Sequence, residues 1–454
     1  MKKFKNILSL VVLVFALPVG IFLISQKTEF FQKAFGTNAS IVVDLNNISV
    51  IQKTDSWHNL AQGGEEKGRM LSSVTDKISV LKPKYIRLDH VFDSYDLVSK
   101  DGSGNLIFNW VNLDQTISDI IKTGAKPFIS LSYMPPVISS GNVTDYPLDW
   151  NDWQKTVTTT VEHLSGRNGF NIKDVYYEVW NEPDLFGDFK IRGKKDYLTL
   201  YTQSVLAAEK ARNVNEFKIG GPATTGFYEN WLNKLLEYSQ TQNVRLDFLS
   251  WHKYSKKLSD YEADLENAQR YQGYELIISE IGPNNENDTV YDSSFSAFHT
   301  IATTALMEGY VDKLFTFEIK DGPGDSKNWG RWGMMTHEKY GTPEEKPRYR
   351  ALQFLNKLSD SQNLTVEGNG SWVKAVAKRK DSKIQLLLVN YDHSGRHNES
   401  VPVKLTNLPG SSGKLTRYDF LGSTSTTDLN LPDNTWESTI YMTPNSAIIF
   451  ELDL

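Results

Sequence analysis

The chain has 454 residues and a net charge of −6, it contains no cysteine, and it is 39% hydrophobic and 12% aromatic. This length predicts two or three domains with ordinary hydrophobic cores. The lack of cysteine excludes disulfides and thiolate metal sites, and a mildly acidic chain without a dominant basic patch argues against nucleic acid as a partner.

Residues 1–26 have the pattern of a targeting segment. Three lysines among the first five residues precede the uncharged run 7–24. This run is longer than the apolar core of most signal peptides and close to the length that spans a bilayer. We expect an uncleaved membrane anchor, with a cleaved signal peptide as the alternative. The leading positive charge predicts export of the rest of the chain to the cell surface, or its secretion after cleavage. Residues 27–38 then form a polar linker.

Between residues 39 and 360, patterns typical of strands alternate with patterns typical of amphipathic helices. The predicted strands are 41–44, 84–90, 126–132, 174–177, 217–222, 246–252, 274–280 and 311–318. The predicted helices are 68–81, 113–123, 149–165, 196–212, 229–240, 258–272, 293–308 and 349–358. Eight strands, each followed by a helix, predict a (β/α)8 TIM barrel of the α/β class.

The pattern changes at residue 361. Short alternating or apolar runs occur at 372–377, 383–389, 401–405, 414–418 and 447–452. Turn residues separate these runs, as at 381–382, 409–410 and 432–433. Short strands between regular turns predict an antiparallel β-sandwich domain over 361–454.

Two predicted barrel strands lead into a glutamate. Glu182 follows the aromatic-rich fourth strand, directly before Pro183, and Glu280 ends the seventh strand, before Gly282. The carboxyl ends of barrel strands meet on one face, so we expect the two carboxyl groups to face each other. Glycoside hydrolysis needs such a pair on opposite sides of the anomeric carbon, and Asn181 is placed to bind a sugar hydroxyl. The pair predicts a glycosidase with a carbohydrate substrate and no cofactor.

These motifs resemble the signature of the clan A retaining glycoside hydrolases, and the finer match is to glycoside hydrolase family 39. That family includes β-xylosidases, α-L-iduronidases and bacterial exopolysaccharide glycosidases. The resemblance covers about residues 40–360 and implies that Glu182 is the acid/base and Glu280 the nucleophile. The stretches that carry it are 180–183, 278–280, 86–87, 127–135, 220–223, 247–254 and 346–349.

The resemblance is weaker at the eighth strand and in the motif of the third. Xylosidase-like members tend to carry Trp on the eighth strand, where this chain has Phe317 and Glu318. Ser130 and Tyr133 also differ from the usual side chains of the third-strand motif. The resemblance implies that these positions line the substrate pocket, so the departures concern the identity of the sugar more than the reaction.

Further polar residues near strand ends are candidates for substrate binding. Arg87 is placed to hold the carboxylate of the nucleophile, with a purely structural ion pair as the alternative. His252 ends the sixth strand and Tyr254 follows it, beside the seventh, and His90, next to Asp89, ends the second.

Trp332 and its neighbour Trp329 lie in the loop after the eighth strand. They either stack on sugar faces or anchor the loop. His252 and Asp89 do not have a recognisable metal-ligand spacing, and we expect no metal. A carbohydrate-binding protein that has lost catalysis on the same barrel remains the alternative function. The sequence leaves the oligomeric state open.

Overall fold

The structure, a computed structural model, describes residues 36–49, 53, 55–63, 66–327, 329–358 and 360–454. The predicted anchor and most of the linker lie outside these residues. Within the described ranges, no helix has both the length and the apolar character needed to cross a bilayer.

Among the described residues before 360, the chain forms eleven strands. They are β1 (Ile41–Asp44), β2 (Asn59–Gln62), β3 (Tyr85–Leu88), β4 (Val98–Lys100), β5 (Leu106–Phe108), β6 (Lys126–Ser130), β7 (Val175–Glu178), β8 (Phe217–Thr224), β9 (Phe248–Tyr254), β10 (Glu275–Gly282) and β11 (Lys313–Phe317). Strands β2, β3 and β6 to β11 pair in parallel, and β11 closes onto β2, forming an eight-stranded barrel. The predicted TIM barrel is confirmed.

The helices of this region lie between the barrel strands or follow the last of them. They are α1 (Thr75–Val80), α2 (Val111–Lys122), α3 (Trp150–Leu164), α4 (Tyr197–Lys210), α5 (Glu229–Gln242), α6 (Leu258–Ala268), α7 (Ser294–Met307) and α8 (Pro347–Leu355). Asp149 and Asp196 are the N-cap residues of α3 and α4. Their carboxylates accept hydrogen bonds from backbone N–H groups that have no partner within the first helical turn.

The prediction that 41–44 is the first barrel strand is wrong. This segment pairs in parallel with the C-terminal strand at 399–406, and the first barrel strand is β2. Its sequence, Asn-Leu-Ala-Gln, has neither the β-branched content nor the alternation that marks a strand. All four of its residues are buried because β3 and β11 flank it.

The C-terminal strands form the sandwich that the sequence predicts. They are β12 (Gln362–Leu364), β13 (Val373–Lys380), β14 (Lys383–Asn390), β15 (Glu399–Thr406), β16 (Ser412–Asp419), β17 (Thr424–Asn430), β18 (Trp436–Met442) and β19 (Ser446–Asp453). Six of them form one sheet in the order β12-β13-β14-β19-β16-β17, and β1, β15 and β18 form a second. Both sheets contribute to one hydrophobic cluster.

A buried ion-pair cluster joins the two domains. Lys378 of β13 donates to Asp55 at 2.8 Å and to Glu308 at 2.9 Å, and both carboxylates belong to the barrel side of the chain. All three side chains are almost fully buried. Because a buried charge is costly without a partner, this cluster favours one fixed contact between barrel and sandwich.

The barrel interior is layered. Phe128, Tyr176 and Phe248 pack together inside it with other apolar residues. Two residues further along two of these strands, the same inward face carries Ser130 and Glu178. The interior therefore changes from apolar to polar towards the carboxyl ends of the strands, where TIM-barrel active sites lie.

Candidate active site

Glu182 lies in a tightly held loop that follows β7. Trp180 and Glu182 have left-handed backbones, with φ of 74° and 47°, which cost about 1–3 kcal/mol each for non-glycine residues. The Glu182 N–H donates to the Ala223 carbonyl at 3.0 Å, and its carbonyl accepts from Leu185 at 3.0 Å and Phe186 at 2.7 Å. These bonds hold the Glu182 backbone between the loops after β7 and β8.

Glu280 lies near the end of β10, and both of its carboxylate oxygens accept hydrogen bonds. Arg87 donates from Nη1 to Oε1 at 2.8 Å, and the Tyr254 hydroxyl donates to Oε2 at 2.6 Å. Its side chain is 7% exposed. Burial is the largest influence on the pKa of Glu280 and raises it above its ordinary value, although His252 and Arg87 act in the opposite direction.

His252 connects the two glutamates. Its Nδ1 lies 2.8 Å from Glu182 Oε1 and 3.5 Å from Glu280 Oε2. Ligand-capable atoms of all three residues lie within 4.8 Å of one another, so the carboxylates face each other as expected. Burial alone lowers the pKa of His252, but the charge of Glu280 and the bond to Glu182 outweigh it and raise the pKa. Both carboxylates therefore favour the protonated imidazole.

Arg87 is fully buried and organises the floor of the site. Besides Glu280, it donates from Nε to Glu178 at 2.7 Å and from Nη2 to Asn181 at 2.8 Å. Asp89 lies 3.8 Å from Nη1. Burial by itself lowers the pKa of Arg87, but these carboxylates raise it well above its usual range. The guanidinium is thus a permanent charge that is shared among several acceptors.

The remaining predicted residues lie around this centre. Asn181 also donates to the Tyr133 hydroxyl at 2.9 Å. His90 lies 2.9 Å from Asp93 and contacts the Tyr133 ring edge-on at 4.8 Å between centroids. Trp332 is half-buried, and its carbonyl accepts from the Glu318 N–H at 3.0 Å. The structure thus brings Trp332 to the end of β11 through its backbone.

Two buried carboxylates of this region were not among the predicted site residues, although Glu318 was noted as a departure from the family on the eighth strand. Glu178 is fully buried in β7 and bonded to Arg87. Glu318 is buried and accepts from Gln62 at 2.8 Å and from the Gly63 N–H at 3.3 Å. A charged residue between Tyr177 and Val179 in an otherwise apolar strand is a signal that Glu178 has a buried partner.

Two groups among the described residues have the spacing of metal ligands, namely Glu182 with His252 and Glu280, and Glu66 with His337 and Glu338. In the first group, Arg87 and Tyr254 already donate to Glu280. In the second, the Lys320 ammonium lies 3.0 Å from both carboxylates. Ion pairs and hydrogen bonds account for both groups, and the expectation of no metal stays a prediction.

A closed parallel barrel with a facing pair of glutamates at its strand ends is the arrangement of the clan A glycosidases. The model of the glycosyl hydrolases family 39 matches residues 58–296, and the chain belongs to that family. The family resemblance and the glycosidase class predicted from the sequence are therefore confirmed.

Two β-xylosidases are similar in sequence to this chain. A β-xylosidase of Caldicellulosiruptor saccharolyticus is 27% identical over 371 residues, which cover 74% of each chain. A β-xylosidase of Geobacillus stearothermophilus is 25% identical over 336 residues, covering 65% of this chain and 64% of the relative.

Solved structures share the fold of the whole described region. A monomeric β-xylosidase from Caulobacter crescentus superposes with a TM-score of 0.73 at 18% identity, covering 91% of this chain and 99% of that one. A family 39 enzyme from Xanthomonas axonopodis pv. citri gives a TM-score of 0.71 at 17% identity, covering 92% and 97%. The coverage includes the sandwich as well as the barrel.

Proposed function

We propose that the protein is a retaining glycosidase in which Glu280 is the nucleophile and Glu182 the acid/base. The observation that carries this proposal is the separation of the two glutamates, because one carboxylate oxygen of Glu182 and one of Glu280 lie within 4.8 Å of each other. Retaining enzymes place their carboxyl groups about 5–5.5 Å apart, whereas inverting enzymes need about 6.5–9.5 Å to admit a water molecule. The short separation supports direct attack by one carboxylate.

The surroundings of the two glutamates support the assignment of roles. Arg87 and Tyr254 donate to opposite oxygens of Glu280, and such bonds favour its ionised, nucleophilic form. Glu182 has His252 as its side-chain partner, and 13% of its side chain remains exposed. It is therefore the carboxyl group that a leaving oxygen, and later a water molecule, can reach.

The reaction would then proceed by double displacement. Glu280 attacks the anomeric carbon while Glu182 gives a proton to the leaving oxygen, and a glycosyl-enzyme ester forms. Glu182 next takes a proton from water, whose oxygen attacks the anomeric carbon and releases Glu280. His252, bonded to Glu182, is placed to keep that carboxyl group oriented through both proton transfers.

We take β-xylosides as the first substrate class because the two relatives described above are named β-xylosidases. Phe317 and Glu318, where xylosidase-like members tend to carry Trp, make a wider glycoside panel necessary. The panel should include glucosides, arabinosides and uronides, with product sizing to separate the release of single sugars from internal cleavage.

Azide rescue tests the two roles. Glu280→Ala should lose activity on every substrate, since no nucleophile remains. Glu182→Ala should still form the glycosyl-enzyme from an activated aryl glycoside, which needs little protonation to leave. That intermediate should accumulate, and azide, which needs no general base, should restore turnover and give a glycosyl azide of retained configuration by NMR.

Two results would contradict the proposal. Rescue of Glu280→Ala by azide with retained configuration would reverse the roles, and an inverted first product from the unmutated enzyme would exclude a nucleophilic glutamate. If the unmutated protein binds glycans but hydrolyses none of the panel, the carbohydrate-binding alternative is correct.

A further inference from the structure

Three large apolar side chains are exposed on the two loops that flank Glu182. Leu185 is 57% exposed and Phe186 40% exposed in the loop after β7, and Tyr228 is 42% exposed in the loop after β8. We call these three residues the apolar rim. Single exposed apolar residues need no explanation, but these three lie on the two loops that hold the Glu182 backbone.

The first half of the rim is held rigidly to Glu182. The N–H groups of Leu185 and Phe186 donate to the Glu182 carbonyl, and the Trp180 indole donates to the Phe186 carbonyl at 3.0 Å. One side of the Phe186 ring packs against Tyr133, with 5.7 Å between ring centroids. Its exposed part therefore has a fixed position relative to the Glu182 backbone.

The second half of the rim is tied to the same loop. The Tyr228 hydroxyl lies 3.0 Å from Thr225 Oγ1, and Thr225 donates to the Asp184 carboxylate from its N–H at 3.0 Å and from its hydroxyl at 2.5 Å. The Tyr228 ring packs over Gly226, where a Cβ would lie 3.3 Å from the ring. Asp184 stands two residues after Glu182, so the two loops are joined directly beside it.

We propose that the apolar rim is the site that binds the leaving-group sugar of the substrate. This inference rests on the proposed role of Glu182. An acid that protonates the leaving oxygen must touch it, so the sugar attached to that oxygen lies over the residues around Glu182. The C–H faces of sugar rings pack on aromatic side chains, and a ring fixed in place loses little entropy on binding.

The rim also predicts the kind of substrate. A small leaving group would be released through Glu182 alone and would leave Phe186 and Tyr228 in water. A second sugar ring, as in a disaccharide or oligosaccharide, would cover them and bury apolar surface. The rim therefore selects glycosides whose leaving group is itself a sugar, and in the second step it also holds a sugar acceptor in competition with water.

The test compares substrates that share one glycosyl group. For the sugar that the panel identifies, it uses the disaccharide (xylobiose if the sugar is xylose) and the 2,4-dinitrophenyl glycoside. Hydrolysis of the glycosyl-enzyme limits turnover of the latter, after its leaving group has departed. Phe186→Ala should lower kcat/KM on the disaccharide about five- to tenfold more than kcat on the aryl glycoside. It should also lower the ratio of sugar transfer to hydrolysis.

Conservative and distant variants complete the design. Phe186→Tyr keeps the ring and should restore most of the disaccharide activity. Tyr441→Ala removes an exposed aromatic side chain from the sandwich and should leave the activity on both substrates unchanged. Equal losses on both substrates in Phe186→Ala, or no loss on the disaccharide, would overturn the inference.

Failure of the proposed function is distinguishable from failure of the rim. If the unmutated protein hydrolyses no glycoside, the proposed function fails. Calorimetric titration with xylobiose then tests separately whether the apolar rim binds a sugar. Weaker binding in Phe186→Ala than in Tyr441→Ala would retain the rim as a sugar site. Equal binding in the two variants, or no binding to the unmutated protein, would overturn it.

Discussion

The hydroxyl of Tyr254 provides a direct test of how the nucleophile is held. Tyr254→Phe removes one oxygen, which donates to Glu280 Oε2 at 2.6 Å, and leaves the edge-on contact of the ring with Phe317 in place. Burial raises the pKa of Tyr254 well above its ordinary value, and Glu280 raises it further. The phenol is therefore a proton donor to Glu280 throughout the range in which a glycosidase works.

The size of the effect follows from the type of bond. A short hydrogen bond to a charged acceptor contributes about 1.5–3 kcal/mol, and each 1.36 kcal/mol corresponds to tenfold in rate. We therefore expect kcat/KM to fall about 10- to 150-fold in Tyr254→Phe. The lost bond stabilised the ionised form of Glu280, so the pKa of Glu280 should rise further. The acid limb of the pH–rate profile should move to higher pH.

The assay is kcat/KM on an activated aryl glycoside, measured across the acid range for the unmutated protein and two variants. Tyr201→Phe is the matched control, because its buried hydroxyl donates to the Arg245 carbonyl at 2.9 Å, away from the two glutamates. It should lose some stability to urea but keep the position of the acid limb. An unchanged limb in Tyr254→Phe, or a shift to lower pH, would refute the reasoning.

Two further predictions concern stability and location. The pKa of His252 is raised above the ordinary histidine value of about 6.5, so its charge stabilises the fold fully below that pH and this contribution is lost as the pH rises through the raised pKa. The free energy of unfolding, measured in urea, should therefore decrease as the pH rises above about 6.5. This decrease should be smaller in His252→Gln than in the unmutated protein. An equal dependence on pH in the two proteins would contradict the prediction. We also propose that residues 1–26 anchor an exported protein, so that full-length protein fractionates with membranes. Released protein whose sequence begins near residues 26–37 would show instead that the segment is a cleaved signal peptide.

Much of the barrel was predictable because local patterns dominate it. Buried parallel strands form near-continuous apolar runs, and the intervening helices have their own periodicity. The exceptions lack such a pattern. The strand β2 is buried by its neighbours, and the hairpin of β4 and β5 has only three residues in each strand. In the sandwich, β17 is almost entirely exposed, so no apolar alternation marks it.

The candidate site was predictable where its polar residues lie at or just after the end of a predicted strand. Glu182, Glu280, His252 and Tyr254 were all predicted in this way, and in the structure His252 lies against both glutamates while Tyr254 donates to Glu280. The contact between Gln62 and Glu318 joins residues 256 positions apart, and neither residue stands in a recognisable motif. Such pairs depend on how the barrel closes, which local sequence does not specify.

The strand β1 has a consequence for how the chain folds. It precedes the barrel but completes the small sheet with β15 and β18, and the Ala39 N–H donates to the Glu399 carboxylate across 360 residues. The whole barrel is thus an insertion between two strands of the sandwich. The entropy cost of closing so long a loop grows only slowly with its length. Once the barrel has folded, it also brings β1 closer to the C-terminal strands with which it pairs. During synthesis, β1 can pair only after β15 has been made, whereas all the barrel strands are made earlier. The barrel is therefore the unit that can fold first.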